Sequence, residues 1–136
     1  MTKLALVVAF LFSLGCSPAN DLDGRYAASW TCSAPTCADL APMPDELELA
    51  GVESATPQTP GHATFYAAGE VVAEAQLVRT ASDTWTVGPV CLMNCDGAGV
   101  ILDQVELQPA SGGWDGQGRV VDLWTGAEAS YSLVAR

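Results

Sequence analysis

Two hydrophobicity regimes divide the chain. From Leu4 to Leu14 apolar side chains follow one another almost without a break (LALVVAFLFSL), whereas beyond Asp23 apolar and polar positions alternate in short runs separated by Gly, Pro and Asp. A period of two puts successive side chains on opposite faces of an extended strand, so the second regime predicts antiparallel β structure with one face buried. In RYAASWTC the positions Tyr26, Ala28, Trp30 and Cys32 share a face against Arg25, Ser29 and Thr31. The same pattern gives Leu47 and Leu49 in DELELAG, Phe65 and Ala67 in HATFYAA, Trp85 and Val87 in DTWTVG, Val105 and Leu107 in GVILDQVELQ, and Tyr131 and Leu133 in ASYSLVA. EVVAEAQLVR is rich in Ala and Glu, which favour helix, but Val71, Ala73, Ala75 and Leu77 alternate among strand neighbours, and it is read as a strand.

Turn chemistry separates these runs. Trp114-Asp115-Gly116 and Thr125-Gly126-Ala127 read as tight turns, Gly69 as another, and the proline-bearing stretches APTCADLAPMPD and ESATPQTPG as surface loops. Seven to eight short strands at roughly ten-residue spacing predict an all-β fold, a small antiparallel meander closed as a barrel or packed as a sandwich. Asp23-Gly24-Arg25-Tyr26 resembles the G-x-[W/Y] entry strand of lipocalin-like small barrels, with Tyr where that superfamily usually has Trp. The resemblance covers four residues and implies a barrel whose first aromatic plugs one end. An antibody-type sandwich has no support from a Cys–Trp–Cys spacing.

The first regime has a different meaning. Met1-Thr2-Lys3 gives a positive start, and the eleven or so apolar residues after it match a signal-peptide core rather than the ~20 needed to span a bilayer. The run stops at Ser13-Leu14-Gly15-Cys16, which resembles the lipobox of bacterial lipoproteins: Gly15 and Cys16 fit, while Ser13 and Leu14 stand in swapped order. That resemblance implies a diacylglycerated Cys16 at the mature N-terminus, and Ser17 after it resembles cargo sent on to the outer membrane. The competing site, Ser17-Pro18-Ala19, would release an unlipidated, secreted chain at Asn20. The expected organisation is a signal peptide over 1–15, a lipidated N-terminus and tether over 16–22, and a single β domain over 23–136. Several acyl chains at ~0.8 kcal/mol per buried methylene anchor durably.

Removing Cys16 leaves Cys32, Cys37, Cys91 and Cys95, an even set that reads as two disulfides in an oxidising compartment. Two local loops and two crosslinks between the segments near 35 and 93 are both open. Crosslinking is slightly favoured, because a meander can bring two cysteine pairs at strand ends side by side; closing a loop of about 55 to 60 residues would contribute ~4 kcal/mol by the chain-entropy estimate. A Cys₄ zinc site is the weaker alternative, because C-x₄-C and C-x₃-C lack the tight C-x₂-C knuckle.

Charge then narrows the partners. Five Lys plus Arg face sixteen Asp plus Glu, and without Lys3 the balance is four against sixteen, −12. Such a field repels phosphate backbones, so no nucleic-acid partner is expected. Asp96-Gly97-Ala98-Gly99 and Asp115-Gly116-Gln117-Gly118 share fragments of calcium loops but not the full ligand array, and no metal or cofactor is expected. His62 is the single histidine and stands apart from any nucleophile motif, and no phosphate-binding, metalloprotease or G-x-S-x-G signature occurs.

The leading expectation is a non-enzymatic cell-envelope lipoprotein, held at the membrane by its lipid, with a structural role or an envelope protein as partner. One alternative is a lipocalin-like carrier of a small apolar ligand in a cup lined by Tyr26, Trp30, Phe65 and Trp85. Another is a secreted envelope enzyme using His62, which requires a carboxylate and a hydroxyl beside the imidazole. Trp30 and Trp85 are expected in the core, whereas Trp114 and Trp124 flank turns and are candidates for an exposed binding platform.

Overall fold

Each alternating run becomes a strand in the structure, a computed structural model that describes residues 22–33, 43–93 and 99–136. In order these are β1 (Gly24–Cys32), β2 (Glu46–Ala50), β3 (Gly61–Ala67), β4 (Glu70–Ala81), β5 (Thr84–Val87), β6 (Val90–Met93), β7 (Val100–Ala110), β8 (Gly113–Asp122) and β9 (Glu128–Ala135). No helix occurs among the described residues. Every neighbouring pair is antiparallel, in the order β5-β4-β3-β2-β1-β9-β8-β7-β6, and a β5–β7 ladder closes the sheet on itself. The result is an eight-stranded barrel with one extra strand, which resolves barrel against sandwich.

That extra strand continues β5. The pairs Trp85–Leu107, Val87–Val105, Val90–Leu102 and Cys91–Ile101 follow a single register along β7, so β5 and β6 occupy the same lane. Gly88 and Pro89 interrupt it; proline has no N–H to donate to a ladder. After the bond from Gly88 N–H to the Gln76 carbonyl (3.1 Å), no ladder joins β4 to β6.

The inward face is apolar throughout. Leu47, Leu49, Phe65, Leu77, Val87, Leu102, Leu107 and Leu133 are completely or almost completely buried, and Trp85 and Trp114 meet edge to face at 5.3 Å between ring centres. Outward positions carry Arg25, Glu46, Glu48, Glu74, Gln117, Arg119 and Ser132. An apolar interior inside a polar wall is the reverse of a membrane-spanning barrel, which faces lipid with its apolar side.

Three features depart from the sequence reading. Trp114-Asp115-Gly116 is not a turn: it lies within β8, the turn being Ser111-Gly112, and Trp114 is buried. Its glycines serve packing, because a Cβ on Gly116 would sit 2.8 Å from the Glu106 carbonyl oxygen and one on Gly118 would press on Leu102 at 3.1 Å. Second, EVVAEAQLVR is a strand, but a bulge opposite Phe65 and Tyr66 shifts the phase, leaving Val71 55% exposed while Leu77 is buried. Third, the loop after β2 is not only surface: Val52 and Ala55 turn into the core.

Antiparallel order assigns each connection to a pole. Leu22, Asp23, the β2–β3 loop and Arg136 lie at the pole where β1 begins; Ser33, Asp45, Ala68-Gly69 and the β8–β9 turn lie at the opposite one. The first pole is tied shut. The Asp23 carboxylate accepts from Gly51 N–H (3.0 Å) and Val52 N–H (2.9 Å), while the Val52 carbonyl accepts from the Trp85 indole (2.9 Å).

Candidate functional site

The four residues assigned to an apolar cup divide between core and rim. Phe65 on β3 and Trp85 on β5 are buried in the packed interior. Tyr26 and Trp30, both on β1, are half-buried; the Tyr26 hydroxyl donates to the Leu22 carbonyl (2.8 Å) and the Trp30 indole to the Pro44 carbonyl (2.8 Å). These bonds tie the two aromatics to opposite poles of the barrel. None of the four lines either of the concavities described below.

His62 opens β3 on the outer face. Its Nε2 lies 3.4 Å from Glu74 Oε1 on β4, and both side chains are exposed. The carboxylate that an enzymatic reading requires is present; among the described residues no Ser or Thr hydroxyl hydrogen-bonds the ring. On the same wall Arg25 stacks 3.8 Å over the Tyr66 ring and pairs with Glu46 (2.8 Å), while the Tyr66 hydroxyl donates to Glu48 (2.7 Å). That hydrogen bond, with burial and the Glu48 charge behind it, raises the phenol above its ordinary value.

The tryptophans flanking turns part company. Trp114 is buried, whereas Trp124 is 79% exposed in the β8–β9 turn beside exposed Leu123. The turn is well defined: Asp122 Oδ1 accepts from Trp124 N–H (2.8 Å), the Asp122 carbonyl from Gly126 N–H (2.8 Å), and Gly99 O from Leu123 N–H (2.8 Å). An Asx turn of this kind holds the aromatic at the tip.

A site that the pattern did not announce lies on the outer wall of β7, β8 and β9. An open trough of about 460 Å³ runs past Asp103, Glu106, Gln117, Arg119, Ser130 and Ser132. It forms where β7 bulges: Gln104 takes a left-handed backbone (φ 49°), two β7 residues face one on β8, and the register shifts between Asp103 and Glu106. Arg119 bonds Asp103 and lies 3.8 Å from Glu128; the Asp103 bond, then the Glu128 charge, raise the guanidinium further above its ordinary value. A smaller concavity continues along Glu106, Gln108, Asp115 and Gln117. Outward polar residues occur on every strand of such a barrel, so only a glycine at position 104 would have signalled the bulge.

Cys32 ends β1 and Cys91 lies in β6; Cys16, Cys37 and Cys95 lie outside the described residues, as do the leader, the tether to Asp21 and the Asp96–Ala98 part of the first calcium-like fragment. The second fragment, Asp115 to Gly118, is regular strand, with Asp115 paired to Arg136 (2.9 Å). No group of three or more His, Cys, Asp or Glu side chains suited to a metal occurs among the described residues, and they contain no helix long and apolar enough to cross a membrane. No protein-family model, curated protein or solved structure matches the chain.

Proposed function

We propose that this is an exported envelope lipoprotein, anchored through acylated Cys16, whose barrel serves as a non-catalytic binding or structural module on the outer side of the cytoplasmic membrane, in the outer membrane if Ser17 acts as in sorted lipoproteins. The observation that carries the reading is a junction: an apolar run ending at Cys16, a short polar stretch, and then a barrel with a polar outer wall. The N-terminal segment joins the barrel at the Asp23 pole, so a membrane tether there leaves Trp124 and Leu123 facing away from the bilayer, available to an envelope protein. A closed barrel is also compatible with a carrier, but burial of Phe65 and Trp85 in a side-chain-filled interior favours recognition on the outer surface.

Two disulfides belong to the same proposal. Cys32 and Cys91 are not within bonding distance of one another and stand four lanes apart around the wall, with Cys32 on an inward position and Cys91 exposed. This placement favours local closure, Cys32 with Cys37 and Cys91 with Cys95, over the crosslinks that neighbouring strand ends would allow.

The test is fractionation of cells expressing the wild type and Cys16→Ser. The wild-type protein is expected in the membrane fraction, released by detergent and not by salt, and the variant in the soluble envelope fraction or uncleaved. Wild-type protein recovered wholly in soluble fractions would overturn the anchor.

A further inference from the structure

We propose that the outer trough of β7–β8–β9 is a binding site for a neutral oligosaccharide. The inference concerns the barrel wall alone and does not depend on acylation of Cys16. Three observations on the trough point to this chemistry. Its lining mixes amides and hydroxyls, from Gln104, Gln117, Ser130 and Ser132, with the Asp103 and Glu106 carboxylates. Amides and hydroxyls both donate and accept, as sugar hydroxyls do, and carboxylates accept from paired hydroxyls. The single cation, Arg119, is engaged by Asp103 and faces Glu128, so the site offers an anion no free positive charge. At about 460 Å³ the trough is of small-ligand size, and its open, shallow form suits flat pyranose rings lying along the strands.

The β8–β9 hairpin extends the site. A rise of ~3.3 Å per residue places Asp122 roughly 10 Å beyond Arg119, and the exposed Trp124 stands at the tip after it. A tryptophan face packs against the C–H face of a pyranose, so successive sugar units lying along the hairpin pass from polar trough to aromatic tip. Gln104 supports the assignment from a second direction. A non-glycine residue in the left-handed region is strained, and such strain collects where a side chain must be aimed.

The experiment is amide chemical-shift mapping on the full chain with three probes, the tetrasaccharides of N-acetylglucosamine, β-1,4-glucose and α-1,4-glucose, and with tetralysine as the charged competitor. At least one tetrasaccharide is expected to shift amides of 103–106, 117–119 and 130–132, with affinity little changed by salt and Trp124 fluorescence altered on binding. Gln117→Ala and Glu106→Gln, both exposed and outside the core, should each weaken binding about tenfold while retaining a native-like spectrum. Gln104→Gly should raise thermal stability yet weaken binding, a split that a purely structural bulge would not give. No shift with any tetrasaccharide up to about 20 mM overturns the site, because affinity weaker than that is not recognition. Tetralysine binding at the same amides, more tightly and with steep salt dependence, overturns the ligand class.

Discussion

Individual residues carry two of the fold's sharper constraints. Ala68 and Gly69 form the two-residue turn between β3 and β4 with φ of 51° and 81°, the mirror-image geometry that a right-twisted hairpin prefers. Glycine holds that conformation freely; alanine does so at a cost. Ala68→Gly is therefore expected to stabilise the protein by about 0.5–1 kcal/mol and raise its melting temperature by several degrees, read by thermal denaturation. Asp23 acts in the other direction. Its carboxylate satisfies two loop N–H groups whose loop in turn holds the Trp85 indole, so Asp23→Ala should lose about 2 kcal/mol in urea titration. An unchanged midpoint would mean that the loop is held by Val52 packing alone.

At the scale of elements, period-two alternation was a faithful guide and turn residues a mixed one: Gly69 and Thr125-Gly126 do form turns, whereas Trp114-Asp115-Gly116 does not. Strands β1, β2, β3, β5, β7 and β9 follow the apolar positions because one face of each must leave water. Trp114-Asp115-Gly116 misled for a physical reason: the glycines that look like turn formers are there because Leu102, Leu107 and a carbonyl oxygen occupy the space of a side chain. The trough was illegible because its residues are those any solvated strand carries, and β5 and β6 could not be recognised as one lane from a Gly-Pro pair. The outer wall of β2 and β3 makes a pH prediction. Hydrogen bonding to Glu48 holds the Tyr66 proton more tightly in the folded state than in the unfolded chain, where the phenol titrates near 10. A raised acid stabilises below the unfolded value, and that contribution is lost as pH climbs from about 10 through the folded value. Tyr66→Phe should thus have the shallower alkaline decline in melting temperature; parallel declines would assign the alkaline loss to other groups.

For the whole molecule, the two poles and the outer wall divide the work. One pole receives the N-terminal segment and is sealed by Asp23, Val52 and Trp85; the other presents the exposed Leu123-Trp124 turn. With sixteen acids against five basic residues, the chain's net charge opposes phosphate polymers, in line with the proposed neutral or protein partner. The alternation made an antiparallel β fold legible, and closure followed only from the β5–β7 ladder. The proposed compartment rests on residues 4–16 alone, a stretch outside the described residues, so the proposal stands or falls on processing. The most direct measurement is the intact mass of the protein from native membranes, taken before and after reduction and thiol alkylation. The account predicts a chain beginning at Cys16, heavier by a diacylglyceryl and an N-acyl group, that takes up four alkyl groups only after reduction. A chain retaining Met1 with five alkylatable thiols before reduction, or an unmodified one beginning at Asn20, would contradict it.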